Sequence, residues 1–180
     1  VMRLTIKLAQ ERVGSLSSPS KMPGYGYSTP AEDCITGSKL VEVPNSICSF
    51  CYARKGRYAF SNVKNAMKKR LNDSGDVQGV WHLEKIAEVA RRLPHIKFWL
   101  PTREYRFVRE WMELNRKPDN LVIRLSAYMM DGAPPTKLAK SLGLPTSGAK
   151  TDSSFTCPAS EQGNECGDCR SCWNDNVENI

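Results

Sequence analysis

The chain has 180 residues, 40% hydrophobic and 25% charged, enough for one domain with a real core and too few for two large ones. No apolar run approaches the ~18 residues that a membrane span needs, and VMRLTIKLAQERVGS at the N-terminus lacks the apolar core of a secretory signal. The net charge of +7 is uneven, because residues 152–180 carry −5 and the remainder +12, a basic body suited to nucleic acid or another polyanion.

In chain order, residues 14–33 are rich in Gly, Ser and Pro and predict an ordered loop. SNVKNAMKKRL (61–71) reads as a basic helix. In DSGD (73–76), Asp73 or Ser74 is placed to cap the helix that follows. VWHLEKIAEVARRL (80–93) sets Val80, Leu83, Ile86, Ala87, Ala90 and Leu93 in one helical stripe, stopped by Pro94. IKFWLP (96–101) has the length and composition of a strand. EYRFVREWMELN (104–115) is helical again, with Phe107, Val108, Trp111 and Leu114 on one face, and LVIRLSAYM (121–129) is the clearest strand. Strands that start about 25 residues apart with a helix between them argue for βα units and a parallel sheet. Segment 145–180 has little periodicity and is expected to pack on the domain, organised by its cysteines. His82 and His95 are isolated and read as packing or surface residues. The four tryptophans read as packing for the core or the cysteine loops.

Seven cysteines in a chain without an export signal point to metal chemistry rather than disulfides. Four of them, Cys157, Cys166, Cys169 and Cys172, fall in CPASEQGNECGDCRSCW, the last three as C-x2-C-x2-C. Structural zinc usually takes two C-x2-C knuckles separated by a longer spacer, whereas consecutive cysteines on a winding loop suit an iron–sulfur cluster, with a four-iron cubane favoured and zinc as the alternative. Gly163 and Gly167 give such a loop its backbone freedom.

Cys34, Cys48 and Cys51 form a second group, C-x13-C-x2-C. Three thiols can hold a cluster with one open iron, pool with the tail cysteines around one cluster, or help complete a zinc site. An open iron is what radical S-adenosylmethionine enzymes use, but their usual C-x3-C-x2-C spacing is not this one. Arg54, Lys55 and Arg57 follow Cys51 directly. They would stabilise an anionic cluster or, with Tyr52 and Tyr58, form a phosphate-binding loop. The loops carrying Asp76, Arg103 and Ser126 are expected on one edge of the sheet, where α/β folds place their pockets. No acid–base pair stands out as catalytic.

SKMPGYGYSTP, CSFCYARKG, SGD ahead of a helix, KFWLPTRE, IRLSAYMMDGAPP, GLPTSG and the closing cysteine run together resemble the phage "gene product 88" domain family. The resemblance implies a shortened relative of the barrel of radical S-adenosylmethionine proteins, a cysteine-held iron–sulfur cluster, and residence in the cytoplasm of an infected bacterial host. It implies no defined reaction. In that family a longer segment with a strand precedes SGD, whereas here only Leu71 and Asn72 separate the basic helix from Asp73. The expected fold is therefore α/β, a partial parallel (βα) barrel-like single domain over 1–180 with cysteine-rich loops at one end. The expected function is an iron–sulfur protein whose cluster is structural or redox-sensing, with a nucleic-acid or protein partner. The alternatives are an enzyme, intact or degenerate, acting at an open iron, and a zinc-stapled binding module.

Overall fold

The computed structural model describes residues 17–26, 30–68, 76–150 and 157–180. Among these, five α-helices are seen, α1 (Ile35–Leu40), α2 (Ser61–Lys68), α3 (Val80–Arg92), α4 (Tyr105–Leu114) and α5 (Thr136–Leu142). Three strands, β1 (Phe98–Thr102), β2 (Leu121–Ser126) and β3 (Thr146–Ser147), lie side by side in chain order and run parallel. Phe98 pairs with Leu121, Thr102 with Leu125, and Leu125 with Thr146. The sheet is open, and no barrel-like closure occurs among the described residues.

The middle strand is buried at all six positions, and its alternation divides the molecule. Leu121, Ile123 and Leu125 join Leu83, Ala87 and Ala90 of α3 and Phe107, Val108 and Trp111 of α4 in one core. Successive side chains on a strand point to opposite faces, so Val122, Arg124 and Ser126 face away from the helices. Polar ties lock the helix layer. The Trp111 indole donates to Glu84 Oε2 at 2.8 Å. Asn120 Nδ2 donates to the carbonyls of Ala90, Leu93 and Ile96, closing the end of α3.

Most of this was expected from periodicity, with differences that have physical causes. Leu114, placed on the buried face of α4, is 86% exposed, because it is the last helical residue and projects beyond the core that Trp111 ends. The strand read as 121–129 stops at Ser126; beyond it Ser46 bridges Met129 and Asp131 takes φ +56°. α3 is preceded by Gly79 with no side-chain cap bond, and the proposed caps Asp73 and Ser74 lie outside the described residues, as does the Leu71–Asn72 junction. Helix α5 and strand β3 were not anticipated, being too short for a period to register.

Candidate metal centre

The chain from Ala31 to Phe50 is bound to the edge of the sheet where the strands end. Ile47 N donates to Tyr128 O at 2.9 Å and Met130 N to Asn45 O at 2.8 Å, both just past β2. Glu104, just past β1 and 5% exposed, accepts from the Thr36 amide at 2.6 Å and the Thr36 hydroxyl at 2.8 Å. Cys34 precedes α1 at its N-cap position, Cys48 is buried in the 3-10 turn Ile47–Phe50, and Cys51 follows that turn. Gly37, in the first turn of α1, faces two of these thiols. A Cβ there would lie 3.5 Å from Cys34 Sγ and 3.6 Å from Cys48 Sγ, so the two sulfurs are no more than about 7 Å apart.

The three thiols share one electrostatic environment. Burial, then the charges of Asp76, Cys51, Cys48 and Glu104, pushes the Cys34 thiol up to about 12. Burial also raises Cys48, and Arg103 and Arg54 beside it pull the other way. Arg54 and Lys55 are exposed, and Arg57 lies in the 3-10 turn Gly56–Ala59.

Asp76 and Arg103 meet at this edge. The Asp76 carboxylate accepts from the amides of Val77 and Arg103, each at 2.7 Å, and from the Thr102 hydroxyl. Burial raises its pKa, and these three hydrogen bonds oppose the rise. Its oxygens are thus engaged in fixing the loop after β1. The Arg103 side chain is aligned by Nε donation to Ala127 O at 2.9 Å. Ser126 turns toward β3, its hydroxyl 2.9 Å from that of Ser147. Tyr105 ties it toward that edge, its hydroxyl donating to the Ser126 carbonyl and its ring stacking on Tyr128 with centroids 4.6 Å apart, while the Tyr128 hydroxyl donates to Arg103 O at 3.1 Å.

The second group lies elsewhere, on the sheet face opposite the helices. Arg124, fully buried in β2, donates to the carbonyls of Ser171, Cys172, Asn174, Val177 and Thr146 at 2.8–3.2 Å. Trp99 of β1 packs on Trp173 with ring centroids 5.2 Å apart. Upstream, Gly163 and Gly167 take φ of +67° and +49°, the left-handed turns that the winding loop requires. The loop is clasped by the segment around Lys21, whose carbonyl accepts from Cys166 N at 3.0 Å and whose Nζ donates to Gly163 O at 3.1 Å. Burial pushes Cys172 up to about 11, with Arg124 opposing and Cys157, Cys166 and Cys169 adding to the rise. Burial and the neighbouring thiols likewise raise Cys166, whereas hydrogen bonds with Ser171 lower Cys169.

No disulfide joins any of the seven cysteines. Among the described residues, no three His, Cys, Asp or Glu side chains form a ready-made single-ion site. The two histidines stand apart from the thiols' surroundings. His82 is buried on α3 and stacks on Trp81, and His95 is exposed. Glu104 and Arg124 went unremarked in the sequence, although an arginine in the apolar run LVIRLS is a signal of a buried polar role.

Fold and site together define a small mixed α/β protein with an open parallel sheet and two separate groups of thiols. The family model described as Gene product 88 matches residues 64–175, and the chain belongs to that family, the phage family its motifs resemble. The match covers the sheet and the second thiol group, while Cys34, Cys48 and Cys51 precede it. No curated protein and no solved structure matches the chain. Among the described residues no helix is long and apolar enough to cross a membrane.

Proposed function

We propose that this protein binds iron–sulfur through its two thiol groups and that the metal serves first to hold its cysteine loops in place. The observation that carries the reading is the grouping of thiols beside arginines, with Cys34 Sγ and Cys48 Sγ both within 3.6 Å of a Cβ placed at Gly37. Burial first, and then Asp76, Cys51 and Cys48, raise Cys34; burial first, and then Cys157, Cys166 and Cys169, raise Cys172, with Arg103 and Arg54 beside the first group and Arg124 behind the second. Thiols crowded without a metal are costly to ionise, and a bound cluster offsets that cost by taking them as thiolates. An all-thiolate cluster is anionic, and neighbouring arginines stabilise it.

The residues present suit such a group. The donors are all sulfur, and a side chain at position 37 would fill space between two of them. Cys34, Cys48 and Cys51 would hold one centre and Cys157, Cys166, Cys169 and Cys172 the other. Such a centre supplies structural cross-linking and one-electron chemistry when bound. The chain's own contribution is to order the loops: Glu104 pins Thr36, Arg124 pins the carbonyls around Cys172, and Lys21 pins Cys166.

The test is electron paramagnetic resonance on anaerobically prepared protein before and after dithionite. The reading expects a reduced-cluster signal that weakens in Cys166→Ser with Cys169→Ser. A sample that holds neither iron nor sulfide, or a reduced signal that is unaltered in Cys166→Ser with Cys169→Ser, would count against it.

A further inference from the structure

The loop that carries Cys48 and Cys51 continues into a surface whose aromatic rings neither thiol group accounts for. Phe50 and Phe60 are each 60% exposed and Tyr52 is 75% exposed. Four aromatic rings thus stand within eleven residues, with Tyr52 and Tyr58 in edge contact at 5.7 Å between centroids. Soluble proteins rarely leave such rings bare without a partner. The charge of the same stretch decides what that partner is. From Val43 to Asn72 there are seven Lys and Arg residues and no Asp or Glu. Arg54 and Lys55, interleaved with the rings, are exposed and form no ion pair among the described residues.

From this we infer that Phe50, Tyr52, Tyr58 and Phe60, with Arg54 and Lys55, form a platform for single-stranded nucleic acid. Unpaired bases stack on aromatic faces whatever their sequence, and interleaved cations track the phosphates. A duplex keeps its bases stacked on one another and offers nothing to the rings. The 3-10 turns Tyr52–Arg54 and Gly56–Ala59 carry the two exposed tyrosines. An open strand suits such a surface better than a protein partner, which would have to bury Arg54 and Lys55 against its own acids. The inference goes beyond the cluster reading and does not need the metal to take part in binding.

The experiment is fluorescence anisotropy of the whole protein with labelled oligothymidylate and oligouridylate of about 16 nucleotides, and with a duplex of the same length. Binding to either single strand, well above the duplex, is expected; the comparison of the two strands shows whether the sugar matters. Tyr52→Ala and Phe60→Ala should each weaken binding roughly tenfold. Arg54→Gln with Lys55→Gln should flatten the salt dependence by about 0.7 in log–log slope for each phosphate left without its cation. Lys137→Gln with Lys140→Gln, exposed charges on α5, should change nothing. All these positions are exposed, and circular dichroism checks that each variant folds. Equal affinity for duplex, no loss on removing the rings, or no binding to either strand would overturn the inference. Capture of a protein through the platform without oligonucleotide binding would overturn it too. Iron measured on the same samples keeps the two proposals apart, since iron-loaded protein that ignores nucleic acid refutes this one alone.

Discussion

Glu104 grips Thr36 with both carboxylate oxygens, Oε1 on the amide at 2.6 Å and Oε2 on the hydroxyl at 2.8 Å. The two residues are 68 positions apart. That bond joins the start of α4, part of the helix layer, to the first turn of α1, which holds Gly37 and directly follows Cys34. Replacing Glu104 with Ala leaves the Thr36 donors without their acceptor in a largely buried place. Charged hydrogen bonds of this kind are worth about 1.5–3 kcal/mol. Urea denaturation should show a loss in that range. Thr36→Val, which keeps the shape and loses the hydroxyl, should cost less, about 1 kcal/mol.

Arg124 is the matching device on the other face. Its five carbonyl partners use a planar guanidinium with donors in a fixed fork. Lysine brings only three donors from a single point. Arg124→Lys should therefore destabilise the chain by about 2–4 kcal/mol and lower the metal content of the second thiol group. If stability falls while the metal stays, the arginine supports the sheet alone and not the cysteine loop.

Gly37→Ala tests the space between the thiols. The new methyl would lie 2.9 Å from Cys34 Cβ as well as near both sulfurs, closer than unbonded carbons come. The helix itself would gain slightly from Ala. Iron per chain should drop with little change in helix content by circular dichroism. Unaltered iron would place the metal away from Cys34 and Cys48.

How much of this was legible beforehand depended on whether a residue's role was local. The stripe of α3 and the parallel pairing of β1 with β2 follow from periodicity and spacing, which one stretch of chain carries by itself. The grouping of cysteines by short spacing was likewise visible, and so was the need for backbone freedom at Gly163 and Gly167, which take positive φ. Arg124 and Glu104 were not, because their meaning comes from partners 22–53 and 68 residues away. Asp76 was read as a pocket carboxylate from its loop. The structure shows its oxygens engaged by Val77, Thr102 and Arg103, a satisfaction that no spacing reveals.

His82 gives a pH prediction. The residue is 6% exposed, and burial, then the Lys85 charge, holds its pKa below the ordinary 6.5. The unfolded chain accepts a proton below about 6.5 that the folded chain resists, so stability falls as pH drops through that window. Above it the residue is neutral in both states and adds no pH dependence. Urea midpoints compared at about pH 7 and about pH 5 should fall less in His82→Gln than in the unaltered protein.

The central claim is that the thiols hold iron and sulfide, and its most direct test is elemental iron, zinc and acid-labile sulfide analysis of anaerobically purified protein. The account predicts iron and sulfide in near-equal amounts. It also predicts partial loss in Cys34→Ser with Cys48→Ser, and partial loss again in Cys166→Ser with Cys169→Ser. Zinc without sulfide, or no metal at all in protein kept from air, would contradict it.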